Sequence, residues 1–240
     1  MVRKKVLIKP NVVKDMAPPV TTRIELVAAI ADYVLESFSP GDVYIADGTG
    51  SLEYDTFHAF EKLGFSKIAK ERGIKLLDLN EERLVKLSKP ELKRWPEMHL
   101  PEIVMDSFLI SVPTLKAHTL AGVTLSMKNM VGICPPSHYC KQGHWKKAAF
   151  HSQIHEAVAD LNRYRSPDFT VLDASLGMMK GHIYGVPCDP PIGIIAASED
   201  PVAIDAYGCG LLGVDPGAID HITMVDGELG RMKPLNIVKG

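Results

Sequence analysis

The chain has 240 residues and a mass of 26.3 kDa. A chain of this size buries about 70% of the ~38,000 Å² that it exposes when unfolded, so it can hold a full core without disulfide or metal staples. Hydrophobic residues make up 46% and charged residues 23%, which excludes extended disorder and coiled coil. A net charge of −2, a pI near 6.5 and only 7% aromatics exclude a protein that coats nucleic acid or stacks single-stranded bases.

The length fits one larger α/β domain over residues 1–240. The N-terminal run Val2-Arg3-Lys4-Lys5-Val6-Leu7-Ile8 is too short for a signal peptide or a membrane span, so a cytoplasmic protein with no membrane partner is expected. In that compartment Cys134, Cys140, Cys188 and Cys209 are expected as free thiols. Five of the nine histidines, His118, His138, His144, His151 and His155, crowd into residues 118–155.

Taken in chain order, Val6-Leu7-Ile8 reads as a buried strand entering a loop at Lys9-Pro10-Asn11. Thr22-Arg23-Ile24-Glu25 has the form of a capping box, and Ile24, Val27, Ile30 and Val34 keep the helical period up to Pro40-Gly41. Asp42–Asp47 is the second strand, followed by Gly48-Thr49-Gly50-Ser51. Two helical pieces end at Gly64 and Gly73, and Ile74–Leu79 is the third strand.

The charged stretch 80–100, with Pro90 and Pro96, reads as a surface excursion. Ser107–Val112 is the fourth strand, closed by Pro113. Ile154, Val158 and Leu161 mark a helix, Phe169–Asp173 a fifth strand, and Ile192–Ala197 a sixth. The last helix begins at Pro201, near its first turn.

Apolar strands alternating with amphipathic helices predict a mainly parallel sheet with helices on both faces. The segment 113–150 is expected as a long loop or lid over the carboxyl edge. Ligands in such sheets sit at the carboxyl ends of the strands. Here those ends read Lys9-Pro10-Asn11, Asp47-Gly48, Pro113 to His118, Asp173 and Glu199-Asp200, which predicts one shared site.

A set of motifs runs the length of the chain: Lys9-Pro10-Asn11, Thr21-Thr22, Asp47-Gly48, Pro113-Thr114-Leu115-Lys116-Ala117-His118, the stretch from Gly122 to Gly132, His151, Asp173, Gly181 and Asp200-Pro201-Val202-Ala203-Ile204-Asp205. In this order they resemble the family known as domain of unknown function 362. That family carries no assigned activity, and some of its members hold a ferredoxin-type module with two cysteine runs. This chain has no C-x₂-C-x₂-C run, so the resemblance does not imply an iron–sulfur cluster within it.

Converging ammonium and amide groups hold carboxylates and phosphates, and Lys9, Lys116 and Lys128 with Asn11 and Asn129 have that chemistry. His118 follows Lys116 by two residues, on the same face of an extended segment. His151 and His155 are four apart, on one face of a helix. Imidazoles titrate near neutral pH, which makes His118 and His151, with Lys116, the candidate catalytic groups. Asp173, Asp205 and His155 are candidate ligands of a divalent metal. Gly48 opens a glycine-rich turn that could approach an anion, although it matches no nucleotide-binding spacing; a plain tight turn fits it as well.

The leading expectation is an enzyme or cofactor binder acting on a small anionic ligand, held by Lys9, Asn11, Lys128, Asn129, Asp47 and Gly48. A redox accessory protein that docks to an iron–sulfur partner is a second reading, with a metal or cluster on Cys134, Cys140 and the histidines. A non-catalytic binding module, whose strand-end polar groups pair with one another, is a third.

Overall fold

The computed structural model describes residues 5–140 and 143–239, so the start of the N-terminal run, residues 1–4, lies outside the described residues. Strand β1 (Val6–Pro10) is buried along its whole length, as a run apolar on both sides must be in a sheet covered on both faces. Helix α1 (Ile24–Leu35) follows and buries Val27, Ala31 and Val34, one stripe of its surface.

The expected capping box does not form. Arg23 is the N-cap residue and makes no side-chain cap. The Thr22 hydroxyl is used elsewhere: it accepts from the Asn11 backbone N–H at 2.7 Å and donates to the Val112 carbonyl at 2.6 Å. It thereby ties the end of the first strand to the end of the fourth.

Strand β2 (Val43–Asp47) leads to α2 (Thr56–Leu63) and α3 (Phe65–Arg72). Gly64 and Gly73 end these helices at φ 88° and 67°, a backbone conformation that favours glycine. Strand β3 (Lys75–Asp78) follows.

The stretch expected as a surface excursion instead forms a hairpin, β4 (Leu84–Ser88) and β5 (Glu97–Pro101), followed by α4 (Glu102–Asp106). Its charged residues face outward while Trp95, Met98 and Leu100 enter the core. The Trp95 indole N–H donates to the Ala157 carbonyl at 3.2 Å.

Strand β6 (Phe108–Val112) and β7 (Thr114–His118) are separated by Pro113 alone, and β8 (Gly122–Thr124) pairs antiparallel with β7. Two short helices, α5 (Ser126–Asn129) and α6 (Pro136–Tyr139), precede α7 (Ile154–Tyr164). The last elements are β9 (Phe169–Met179), β10 (Val186–Pro187), β11 (Ile194–Ser198), α8 (Pro201–Leu211) and α9 (Asp220–Thr223). The Asp200 carboxylate caps α8, accepting from Val202 and Ala203, both at 2.8 Å.

The main sheet runs β3-β2-β1-β6-β9-β7-β8, with β10 and β11 also on β9. Strands β1, β2, β3, β6 and β9 pair in parallel, as does β7 with β9. The sixth predicted strand runs the other way: β11 is antiparallel to β9. The segment 113–150 is therefore not one lid. Its first part supplies β7 and β8 to the sheet, and its second part brings Gly132 beside Lys9 and Asp47 and Lys147 beside Asn80, at the carboxyl ends of β1 and β2.

The chain winds from β1 to β2 to β3 in one direction, then returns past β1 to β6. Helices α1, α2 and α3 pack with one hydrophobic cluster, on the face shared by Val6, Ile8 and Ile45. Leu7, Leu109 and Leu172 belong to the other, larger cluster, with α7 and α8. The reversal of winding direction lies between β1 and β6, and a crevice at the carboxyl ends of the strands is expected at such a point.

Candidate functional site

A cavity of about 100 Å³ opens at that reversal. Since ~10–15 Å³ admits one water molecule, this space holds a small polyatomic anion or several waters. Among the described residues four lysines line it (Lys9, Lys116, Lys128 and Lys147) against a single carboxylate, Asp47.

Lys9 leaves β1 on the face of Leu7, and its ammonium is fully buried. It pairs with Asp47 at 2.7 Å and donates to the Pro10 carbonyl at 3.2 Å and to Asn129 Oδ1 at 3.3 Å. All three of its protons are used. Asp47 is equally committed: its second oxygen accepts from the Val12 N–H at 2.6 Å. Lys147 is spent in the same way, on Asn80 Oδ1 at 2.5 Å and on the carbonyls of Gly132 and Cys134.

Lys116 stands on β7 and donates to the Val20 carbonyl at 2.5 Å and to Asn11 Oδ1 at 3.4 Å, which leaves one proton. Lys128, on α5, is partly exposed and has no hydrogen-bond or ion-pair partner among the described residues. Desolvation, followed by the charge of Lys128, lowers the Lys116 pKa to about 7. Desolvation, followed by the charge of Lys9, lowers that of Lys128 to about 8. Lys147 falls to about 8, mainly through desolvation.

His118 lies two residues beyond Lys116 on the same strand face, and both line the cavity. Its Nδ1 accepts from the N–H groups of Leu120 and Ala121, each at 3.1 Å. Those bonds require a bare Nδ1, so the neutral ring carries its proton on Nε2. Desolvation and then the Lys128 charge hold its pKa far below the ordinary histidine value. His118 stacks on His182 with ring centroids 3.9 Å apart. The His182 pKa is lowered to about 4, first by desolvation and then by Lys128. His151 sits at the exposed mouth, its pKa lowered by desolvation and by Lys128.

Of the candidate residues, Lys9, Asn11, Asp47, Gly48, Lys116, His118, Lys128, Asn129 and His151 all line this one cavity. Gly48 is there for lack of space. A Cβ would stand 2.5 Å from Asn80 Oδ1 and 2.6 Å from the Gly132 carbonyl.

The residues expected as metal ligands are not brought together. Asp173 is not at a strand end, because β9 continues to Met179; it binds the Arg23 guanidinium at 3.1 Å and the Ser175 hydroxyl at 2.6 Å. Asp205 is buried in α8 and accepts from the N–H groups of Ser126 and Met127 at 2.7 and 3.1 Å. His155 does not share a helical face with His151, because Ser152 and Gln153 separate a 3₁₀ turn from α7. Its Nδ1 meets that of His221 at 3.1 Å. Among the described residues no group of three or more His, Cys, Asp or Glu is placed to hold a metal ion.

The expected five-strand site thus draws on the ends of β1 and β2 and on β7, since β11 is antiparallel and Asp200 caps a helix. Sequence reasoning missed Lys147, Thr124, His182 and Asn80. Gly181 of the motif series was the nearest signal to His182. Lys147 had none, since it sits in a Trp145-Lys146-Lys147 run that reads as surface.

Cys134 is buried and burial pushes its thiol up to about 12. Cys140 places its Sγ 3.7 Å from the Trp145 carbonyl oxygen. His144 is exposed in a bend, and His138 is exposed on α6, stacked on His99.

A doubly wound α/β protein with a lysine-lined crevice at its switch point is the class that this geometry defines. The chain matches the family described as Domain of unknown function (DUF362) over residues 6–210 and belongs to it. It is also similar to Thylakoid-associated protein sll1697 of Synechocystis sp. (strain ATCC 27184 / PCC 6803 / Kazusa), with 26% identity over 221 residues. The match covers 90% of this chain and 65% of that relative. Among the described residues no helix is long and apolar enough to cross a membrane.

Proposed function

We propose that the cavity binds a small anionic ligand, and that Lys128, Lys116, Asn11 and His118 are the groups that touch it. The observation that supports this reading is the set of residues lining one cavity that keep unused polar atoms. Lys128 has no partner, Lys116 keeps one proton, and Asn11 Nδ2 and His118 Nε2 make no hydrogen bond among the described residues. Two residues that line the cavity, Thr124 and His182, also hold a buried atom, Oγ1 and Nδ1, with no hydrogen-bond partner among the described residues. Buried polar groups are normally satisfied, and unused donors and acceptors gathered around one cavity suit a polar ligand there.

Lys9, Asp47, Asn129 and Lys147 form the wall that holds these donors in place and contribute positive potential. His118 acts as a fixed N–H donor, since its other nitrogen is occupied. His151, at the mouth, exchanges protons with solvent. A neutral ligand would leave the surplus of cations uncompensated, whereas a carboxylate or phosphate offsets it. The protein is read as working in the cytoplasm on such a ligand.

Calorimetric titration with inorganic phosphate and with acetate at pH 7 tests the reading. Binding is expected, weakened roughly ten- to a hundredfold in Lys128→Gln, the range for one hydrogen bond to a charged group. Equal affinity in a folded Lys128→Gln variant overturns the assignment.

A further inference from the structure

Lys128 differs from the other three lysines in one respect that matters chemically. Lys9 and Lys147 spend every proton on fixed acceptors, and Lys116 is tethered to Val20 and Asn11. Lys128 has no hydrogen-bond or ion-pair partner among the described residues, yet it lines the same cavity as Lys9 and Lys116. An ammonium placed among cations is relieved by an anion or by losing its proton. A lysine beside other cationic groups is the setting in which the free amine becomes a nucleophile toward carbonyl carbon.

The unused donors that line the same cavity (the third proton of Lys116, Asn11 Nδ2 and the Nε2–H of His118) suit a carboxylate. A ligand that answers both features carries a carbonyl next to a carboxylate. A cavity of about 100 Å³ suits a small ligand of this kind.

We propose that Lys128 condenses with the carbonyl carbon of a small 2-oxo acid to form a protonated imine, while Lys116, Asn11 and His118 hold the carboxylate. This rests on the anion-binding reading above and adds the ligand class and the bond formed. The amine nitrogen attacks the carbonyl carbon to give a carbinolamine. The oxygen then leaves as water as the C=N bond forms. Lysine ammonium and oxo acid become iminium and water, with no net change in protons and no oxidant or reductant. The lowered pKa of Lys128, about 8, supplies on the order of a hundredfold more free amine at pH 7 than an ordinary lysine offers.

The test is to incubate the whole chain with glyoxylate at pH 7 in the presence of sodium cyanoborohydride, which reduces an imine to a stable secondary amine, and to map the product by intact mass and peptide mass spectrometry. One carboxymethyl group on Lys128 is expected, formed faster than on any exposed lysine and slowed saturably by inorganic phosphate. Lys128→Arg, whose guanidinium stays protonated, should lower the rate of single-site labelling at least about tenfold. The wild-type peptide map reports the labelled residue whether or not the variant folds. A single adduct on Lys116, or labelling spread evenly over surface lysines, overturns the proposal. If phosphate binds calorimetrically but Lys128 labels no faster than surface lysines, the imine is overturned and the anion site stands. If neither phosphate nor acetate binds and Lys128 is unlabelled, both readings fall.

Discussion

At the scale of single residues, the site is an exercise in counting protons. Nine candidate residues reach one cavity, but the hydrogen bonds divide them into wall and contact groups. Lys9 and Asp47 are the clearest wall pair, with side chains 0% and 3% exposed. Removing one member of a buried pair leaves the other charge uncompensated, which costs about 3–5 kcal/mol. Lys9→Met should therefore destabilise the fold by that amount in urea unfolding, and Lys9→Met combined with Asp47→Asn should recover part of it. A double variant no more stable than the single one would show that the pair does not act as a unit.

The pairing partner was legible only as a type. Lys and Asp at neighbouring strand ends were visible in the sequence, but which carboxylate met which lysine depended on the β1–β2 register, Ile8 opposite Ile45. Asp173, equally eligible by sequence, met Arg23 instead.

Among elements, α5 shows how a short helix is fixed by a distant one. It has four residues and no side-chain cap of its own; the Asp205 carboxylate from α8 accepts its first N–H groups. Burial raises the Asp205 pKa to about 7, against the lowering effect of the Met127 and Ser126 N–H donors. The native state then binds more protons than the unfolded state between the ordinary aspartate value of 3.8 and about 7, so this contribution is full below 3.8 and is lost as pH rises through 7. Asp205→Asn should flatten that decline: the stability difference between wild type and variant, measured by urea unfolding, should shift against the wild type from about pH 4 to 7. A pH-independent difference would mean that Asp205 stays ionised throughout.

Asp205 was picked out in the sequence for standing within an apolar helix, and its position is indeed unusual. Its role as a cap of α5 was not readable, because the two residues it serves lie nearly eighty positions away. The capping box at Thr22-Glu25 failed for a related reason. A local signal lost to two tertiary hydrogen bonds that join strand ends.

For the whole molecule, three cavity-lining lysines with lowered pKa values make stability and binding respond to pH in opposite directions. Lys116, Lys128 and Lys147 bind fewer protons in the native state than in the unfolded state from about pH 7 or 8 up to the ordinary lysine value of 10.5. Their contribution is full above that value and is lost as pH falls through 8 and 7. Without ligand, the melting temperature should rise from about pH 7 to 8.5 because of these groups. An anion binds the protonated forms, so phosphate should raise the melting temperature more at pH 7 than at pH 8.5. Equal stabilisation by phosphate at both values would place its site away from these lysines.

What the sequence determined by itself was local and periodic. It set the parallel strand runs β1, β2, β3 and β6, the glycine-ended helices, and the face shared by Lys116 and His118, because these follow from neighbours two to four positions apart. The tertiary structure alone decided that β11 runs antiparallel, that residues 80–100 fold into a hairpin whose Trp95 enters the core, and that 113–150 divides into sheet strands and a strap. It also decided which of the cavity's lysines spend their protons and which one has no partner among the described residues. Those outcomes depend on strand order and on hydrogen bonds between residues dozens of positions apart, and no spacing along the chain encodes them.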